Sequence, residues 1–189
     1  MKTLTILLAF IALSFATFAQ KTFPQKTQFS IGIDGGYLTG GLQQTHKIVL
    51  GASAQVGFKV AAPLQVLVNA GFLNFFGKTV YYDGLQDAPS YASSTAMQVL
   101  PVKAGLRYFL EPNFYLQGDA GVAFLLNRSG VGFNNSNAFI YSPQMGFLLS
   151  AGDKNFVDIA LQYQGSGKFE ESTPASKYGF IGFRVAYGF

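Results

Sequence analysis

The chain contains no cysteine, no tryptophan and one histidine, and only 12% of its 189 residues are charged. Without cysteine there is no disulfide scaffold, no thiolate metal site, no cysteine nucleophile and no lipidated N-terminal Cys. A single imidazole, His46, excludes any chemistry that needs two. Soluble domains carry about 25% charged residues, so roughly half of that charge is missing. The net charge is only +4, and no cluster of Lys or Arg points to nucleic acid as a partner. What fills the space is apolar: 49% of residues are hydrophobic and 16% aromatic, with 20 Phe, 10 Tyr and 22 Gly. That composition is the opposite of a disordered chain, and the length predicts one domain.

The first residues read as a cleavable address. Lys2 precedes the apolar run Leu4 to Phe15, and Ala16-Thr17-Phe18-Ala19 supplies small residues before Gln20. A basic start, a short apolar centre and a small-residue cleavage site make a secretory signal peptide. The run is shorter than the roughly 20 residues a spanning helix needs. The expected organisation is a signal peptide over 1–19, a short segment over 20–26 and one barrel domain over 27–189.

From residue 27 onward the dominant signal is alternation with period two. In the last segment Ile181, Phe183, Val185, Tyr187 and Phe189 alternate with Phe180, Gly182, Arg184, Ala186 and Gly188. Upstream, Val157, Ile159, Leu161 and Tyr163 alternate with Asp158, Ala160, Gln162 and Gln164. Successive strand side chains point to opposite faces, so each segment has one greasy face and one small or polar face. Eight such segments follow one another, each about the length of a tilted membrane-spanning strand. Their connections alternate as well. Those around Pro63, Pro112 and Asp153 are short, whereas 39–47, 83–95, 128–137 and 165–176 are longer and polar.

These features predict an all-β fold, an eight-stranded antiparallel up-and-down transmembrane β-barrel. A soluble eight-stranded barrel would need its apolar face inside, but that interior is just wide enough to be filled by side chains. The bulky set is too large for it, so the small and polar set is expected inside and the bulky set toward lipid. Aromatics at the strand ends would form two girdles, Phe58, Tyr108, Phe114 and Tyr187 on one side and Tyr37, Phe76, Tyr141 and Tyr163 on the other.

The terminal run Phe183-Arg184-Val185-Ala186-Tyr187-Gly188-Phe189 and the run Leu100-Pro101-Val102-Lys103-Ala104-Gly105-Leu106-Arg107-Tyr108, closed by a short turn and Phe114-Tyr115-Leu116, carry a resemblance. The chain resembles the small eight-stranded outer-membrane barrels of Gram-negative bacteria, of the OmpA/OmpX type. That resemblance implies residence in the outer membrane, with its lipid and lipopolysaccharide as surroundings. It also implies that Phe183, Val185, Tyr187 and Phe189 form the signal read by the barrel-assembly machinery. No peptidoglycan-binding domain follows the last strand, so cell-wall tethering is not carried over.

The inward charges are the most informative polar residues. Asp34, Asp119 and Asp158 are expected to meet Lys59, Lys103, Arg107 and Arg184 in a narrow lumen, because a charge taken from water must be paired. Such a network reads as an ion-pair plug, with a narrow path for ions or small solutes as the alternative. A lipid-modifying enzyme is a remote third reading, since it resembles a Ser-His-acid centre. His46 lies at the end of the first long connection with no Ser at matching spacing, and reads as an exposed loop histidine. No catalytic residue, metal site or cofactor is expected. Recognition of an unknown surface ligand would fall to the long connections, where Leu85, Tyr91, Val131 and Phe133 are apolar contact candidates.

Overall fold

A sheet in lipid can satisfy its backbone only by closing on itself, and the computed structural model of the chain does close. The structure describes residues 27–82, 90–127, 135–152, 154–169 and 176–189, with backbone alone for 79–82 and 90–93. In chain order the strands are β1 (Gln28–Thr39), β2 (His46–Ala61), β3 (Leu64–Gly77), β4 (Thr79–Tyr82), β5 (Ser90–Ser93), β6 (Met97–Phe109), β7 (Phe114–Leu125), β8 (Asn137–Ser150), β9 (Phe156–Ser166) and β10 (Gly179–Gly188). One closed antiparallel barrel runs in the order β1-β10-β9-β8-β7-β6-β3-β2, and β4 pairs with β5 outside it. The seam joins β1 to β10, with Ile31 opposite Tyr187 and Asp34 opposite Arg184. At its end Phe29 and Phe189 exchange backbone hydrogen bonds of 3.2 and 2.9 Å.

The eight barrel strands coincide with the eight alternating segments, but they run further, from 10 residues in β10 to 16 in β2. Two expected long connections are therefore shorter than the sequence implied. The first is reduced to the 3-10 turn Gly41–Gln44 between Thr39 and His46. The second begins and ends in the β4–β5 hairpin, where Tyr81 is in register with Tyr91. At the other end of the barrel the turns are tight. Phe114 and Glu111 exchange backbone hydrogen bonds of 3.2 Å, and the Ala151 N–H reaches the Asn155 carbonyl at 2.9 Å.

Two prolines notch the ladders. Pairing of β3 with β6 skips from Ala70–Val102 to Leu73–Val99, and pairing of β8 with β9 skips from Tyr141–Gly165 to Gln144–Gln162. Each gap contains a proline, Pro101 or Pro143, which has no N–H to give to the neighbouring strand.

The faces divide as the alternation predicts. Ile33, Leu50, Phe72, Leu106, Phe139, Ile181 and Phe183 are exposed around the wall, while Ser30, Asp34, Gln55, Asn69, Arg107, Asp119 and Arg184 are buried inside. An apolar surface of that extent exceeds what a soluble monomer exposes and belongs against hydrocarbon. The interior corrects one expectation, since it is small and polar only through its middle. At the long-connection end Leu38, Val49, Phe75, Met97, Val99, Ile140, Phe169, Tyr178 and Phe180 pack into one buried cluster. At the short-turn end Phe109, Tyr115, Leu148, Phe156 and Ala160 form another. Room for such bulk comes from glycine. Gly36 lies directly opposite Gly182 across the seam, and a side chain on Gly36 would sit 2.9 Å from the Phe180 ring.

Candidate functional site

The polar middle of the interior is organised around Asp158 in β9, whose side chain is fully withdrawn from solvent. Arg107 of β6 approaches Asp158 Oδ2 with Nη2 at 2.9 Å, and Arg184 of β10 approaches the same oxygen with Nη1 at 3.2 Å. The second oxygen, Oδ1, accepts the Tyr115 hydroxyl at 2.5 Å. One carboxylate thus serves two guanidinium groups and a phenol. The Arg107 guanidinium lies 3.9 Å from the centroid of the Tyr115 ring, a cation–π placement. Its Nε donates to Gln117 Oε1 at 2.9 Å.

Two further carboxylates are satisfied by neutral donors. Asp34 accepts from the Ser53 hydroxyl at 2.6 Å and from Gln162 Nε2 at 2.9 Å. Ser53 Oγ in turn accepts from Arg184 Nε at 3.2 Å, so Asp34 is joined to Arg184 through a hydroxyl. Asp119 accepts from Gln117 and Gln144 side-chain amides at 2.9 and 2.7 Å, with the Lys103 ammonium 4.0 Å away. Lys103 donates to Gln164 Oε1 at 3.0 Å, and Gln164 Nε2 donates to the Tyr178 hydroxyl at 2.9 Å.

Among the described residues, three buried carboxylates (Asp34, Asp119, Asp158) therefore stand with three buried cations (Lys103, Arg107, Arg184). Buried charges are costly unless paired and hydrogen-bonded, and this set meets that demand strand by strand. Lys59, placed in the same group by the alternation, is half-exposed near the short-turn end of β2, opposite Gln65. Phe183, Val185, Tyr187 and Phe189, for which the resemblance implies an assembly signal, are exposed on the outer wall of the last strand. Of the apolar candidates in the long connections, Leu85, Val131 and Phe133 lie outside the described residues. Tyr91 is in β5, with its side chain outside the description.

The amides and phenols are the part of this site that charge reasoning missed. Gln117 and Gln144 donate to Asp119, Gln162 donates to Asp34, and Gln164 donates to Tyr178. Tyr115 and Tyr178 join the polar middle to the two apolar clusters. Each belongs to one cluster by its ring and to the network by its hydroxyl. The signal was parity, since Tyr115 shares the face of Gln117 and Asp119, and Tyr178 that of Arg184.

His46 corrects another expectation. It is buried as the first residue of β2, not exposed in a loop. Its Nε2 lies 3.0 Å from the Thr95 carbonyl and its Nδ1 2.9 Å from the Thr45 hydroxyl. A carbonyl accepts only, so Nε2 carries the proton and donates. The ring ties the first connection to the start of β6.

No family model matches the sequence, and no curated protein matches it. Solved structures do. The outer membrane protein OprG from Pseudomonas aeruginosa aligns with a TM-score of 0.51 at 14% identity, over 88% of this chain and 96% of that one. The Yersinia pestis outer membrane protein Ail, in a phospholipid bilayer nanodisc, aligns with a TM-score of 0.51 at 16% identity, over 87% of this chain and 99% of that one. At such identities the likeness is one of fold. The chain has the fold of the small eight-stranded outer-membrane β-barrels.

Proposed function

We propose that this chain is an integral outer-membrane barrel whose interior is stoppered, serving as a non-catalytic scaffold that holds its long connections at the outer face. In this reading residues 1–19 direct export, the exposed last strand engages the assembly machinery, and lipid and lipopolysaccharide surround the wall. Any recognition of a further ligand then falls to the connections. The observation that carries the reading is the convergence of Arg107, Arg184 and Tyr115 on Asp158. Side chains from β6, β7, β9 and β10 meet there, between an apolar cluster at either end. An ion would have to displace a charge-paired layer and then pass a packed aromatic layer, in either direction. The only imidazole is buried, with Thr45 and Thr95 as its hydrogen-bond partners.

The test is ion conductance of the folded protein in a planar bilayer, with folding confirmed by the gel shift that intact barrels show on heating. A silent bilayer is the expected result. Steady, reproducible channel steps would overturn the stopper and make the inward charges the lining of an ion path.

A further inference from the structure

Buried polar groups take hydrogen-bond partners almost without exception. Among the described residues one buried side-chain atom is left without a partner, Oε1 of Gln65 in β3. Gln65 is only 1% exposed, so bulk solvent does not serve it. Its Nε2 donates to Gln28 Oε1 at 3.0 Å, which anchors the amide and leaves Oε1 to find a donor elsewhere. What lies beside Oε1 is a glycine. Gly57 of β2 is buried, and the first carbon of a side chain there would stand 3.4 Å from Gln65 Oε1 and 2.9 Å from Leu67 Cδ2. Gly57 therefore makes a hollow in the inner wall, with an unmet acceptor at its rim.

The surroundings select what fills it. An unmet buried acceptor is costly, and an acceptor excludes an anion. Lys59 stands in register with Gln65 on one side and Arg107 on the other. Two positive side chains there disfavour a cation, which leaves a neutral donor. A hollow of methyl size takes a water and little more, and a buried water needs about two to four polar partners. Gln28 and Gln55 offer the further amides: Gln28 is the register partner of Gly57 in β1, and Gln55 lies two residues along β2 on the same face. Further in, the polar groups are already paired. Ser30 Oγ accepts from Arg184 Nη2 at 3.2 Å, and Gln55 Oε1 accepts from Gln117 Nε2 at 3.2 Å. We propose that the hollow at Gly57 binds one ordered water molecule, which donates a hydrogen bond to Gln65 Oε1. The site lies on the β1–β3 side of the short-turn end, beside the apolar cluster drawn from β6 to β9. It goes beyond the proposed function and would stand in a conducting barrel as in a silent one.

The test uses the folded barrel in detergent micelles, with folding confirmed by the gel shift on heating. Oxygen-17 relaxation dispersion counts the waters that stay bound, and a rotating-frame NOE locates one by its contact with an assigned side-chain amide. The unaltered chain should show a cross-peak of dipolar sign between water and the Gln65 amide protons. Gly57→Ala fills the hollow, and should lose that cross-peak together with one long-lived water. The contact nearest the added methyl is the end of the Leu67 side chain, which can turn aside. Should Gly57→Ala still fail to fold, Gln65→Leu removes the acceptor instead and should likewise lose one water. Gly118→Ala adds a methyl where nothing stands within 4 Å, and should keep both the cross-peak and the count. An unaltered chain without the cross-peak, or an unchanged count in either folded variant, overturns the proposal. A cross-peak to the Gln65 amide from a side chain of residues 20–26, in place of water, would overturn water as the donor.

Discussion

Arg107 and Asp158 meet at 2.9 Å with their side chains almost wholly withdrawn from solvent, and Arg184 completes the contact on the same oxygen. The arrangement is asymmetric: one anion serves two cations. Removing the anion strands two buried guanidinium groups, whereas removing one cation leaves the other to hold the anion. Asp158→Asn should therefore cost about 3–5 kcal/mol of stability, the loss typical of a broken buried pair. Arg107→Ala should cost less, about 1.5–3 kcal/mol, the worth of hydrogen bonds to a charged group. Urea unfolding of the barrel in lipid vesicles checks the order. Equal costs, or a larger cost for Arg107→Ala, would show that Asp158 is not the shared centre.

The seam between β1 and β10 is tight where Gly36 faces Gly182. A side chain on Gly182 would strike the Gly35 carbonyl and lie 2.8 Å from Gly36 Cα. Those are backbone atoms in a closed ladder, which cannot shift as a side-chain end can. Gly182→Val should abolish the gel shift on heating, or lower stability by more than the roughly 1–3 kcal/mol of ordinary overpacking. Gly118→Ala is the matched control, because a side chain there meets nothing within 4 Å. A Gly182→Val barrel as stable as the control would contradict the close approach.

Much of this was legible in the sequence, and the residues say why. Strand number, order of short and long connections, and the faces of Asp34, Arg107, Asp119, Asp158 and Arg184 follow from period two, which a sheet imposes on every residue. The apolar ends of the interior were harder to see. In Leu73-Asn74-Phe75-Phe76 both faces are apolar at the strand end, and alternation stops distinguishing the wall from the lumen. Phe75 packs inside against Tyr178 at 4.8 Å between ring centroids, while Phe76 is exposed outside. Which partner each charge takes was not legible either. Alternation places Asp158 and Arg107 on the inner face, but only strand order and stagger bring β9 across to β6. His46 was misread because its partner, Thr95, is 49 residues away.

Phe189 and Phe29 close the barrel with two backbone hydrogen bonds, and their rings stand 5.2 Å apart. Substitution and truncation separate the two contributions. Phe189→Ala keeps the backbone bonds and loses the ring contact, so it should cost about 0.5–1.5 kcal/mol. Truncation after Gly188 removes the backbone bonds as well and should cost more. Urea midpoints in vesicles measure both. If the last residue also serves as an assembly signal, both variants should fall in outer-membrane yield more than their midpoints alone would predict. Yields that track the midpoints would reduce the role of Phe189 to closure.

His46 lies two residues beyond Ile48 and the Tyr37 band, on the long-connection side of the wall. Burial holds its imidazole below the usual histidine value of about 6.5, and the nearby Lys78 charge acts in the same direction, against the Thr95 carbonyl. The sign of the consequence follows. Near pH 6.5 and just below it the unfolded chain takes up a proton that the folded chain still refuses, so stability falls as pH drops through that window. Above it both states are neutral and His46 contributes no pH dependence. Protonation also adds a positive charge near Lys78. The imidazole should therefore titrate below pH 6.5 when followed by NMR in nanodiscs. Backbone amides of Thr45 and Lys78 should lose exchange protection as it does. His46→Gln keeps a donor for the Thr95 carbonyl and removes the titration, so its protection should stay flat between pH 5 and 7. A His46 that titrates at or above 6.5, or a Gln variant that loosens over the same range, would place the pH response in some other group.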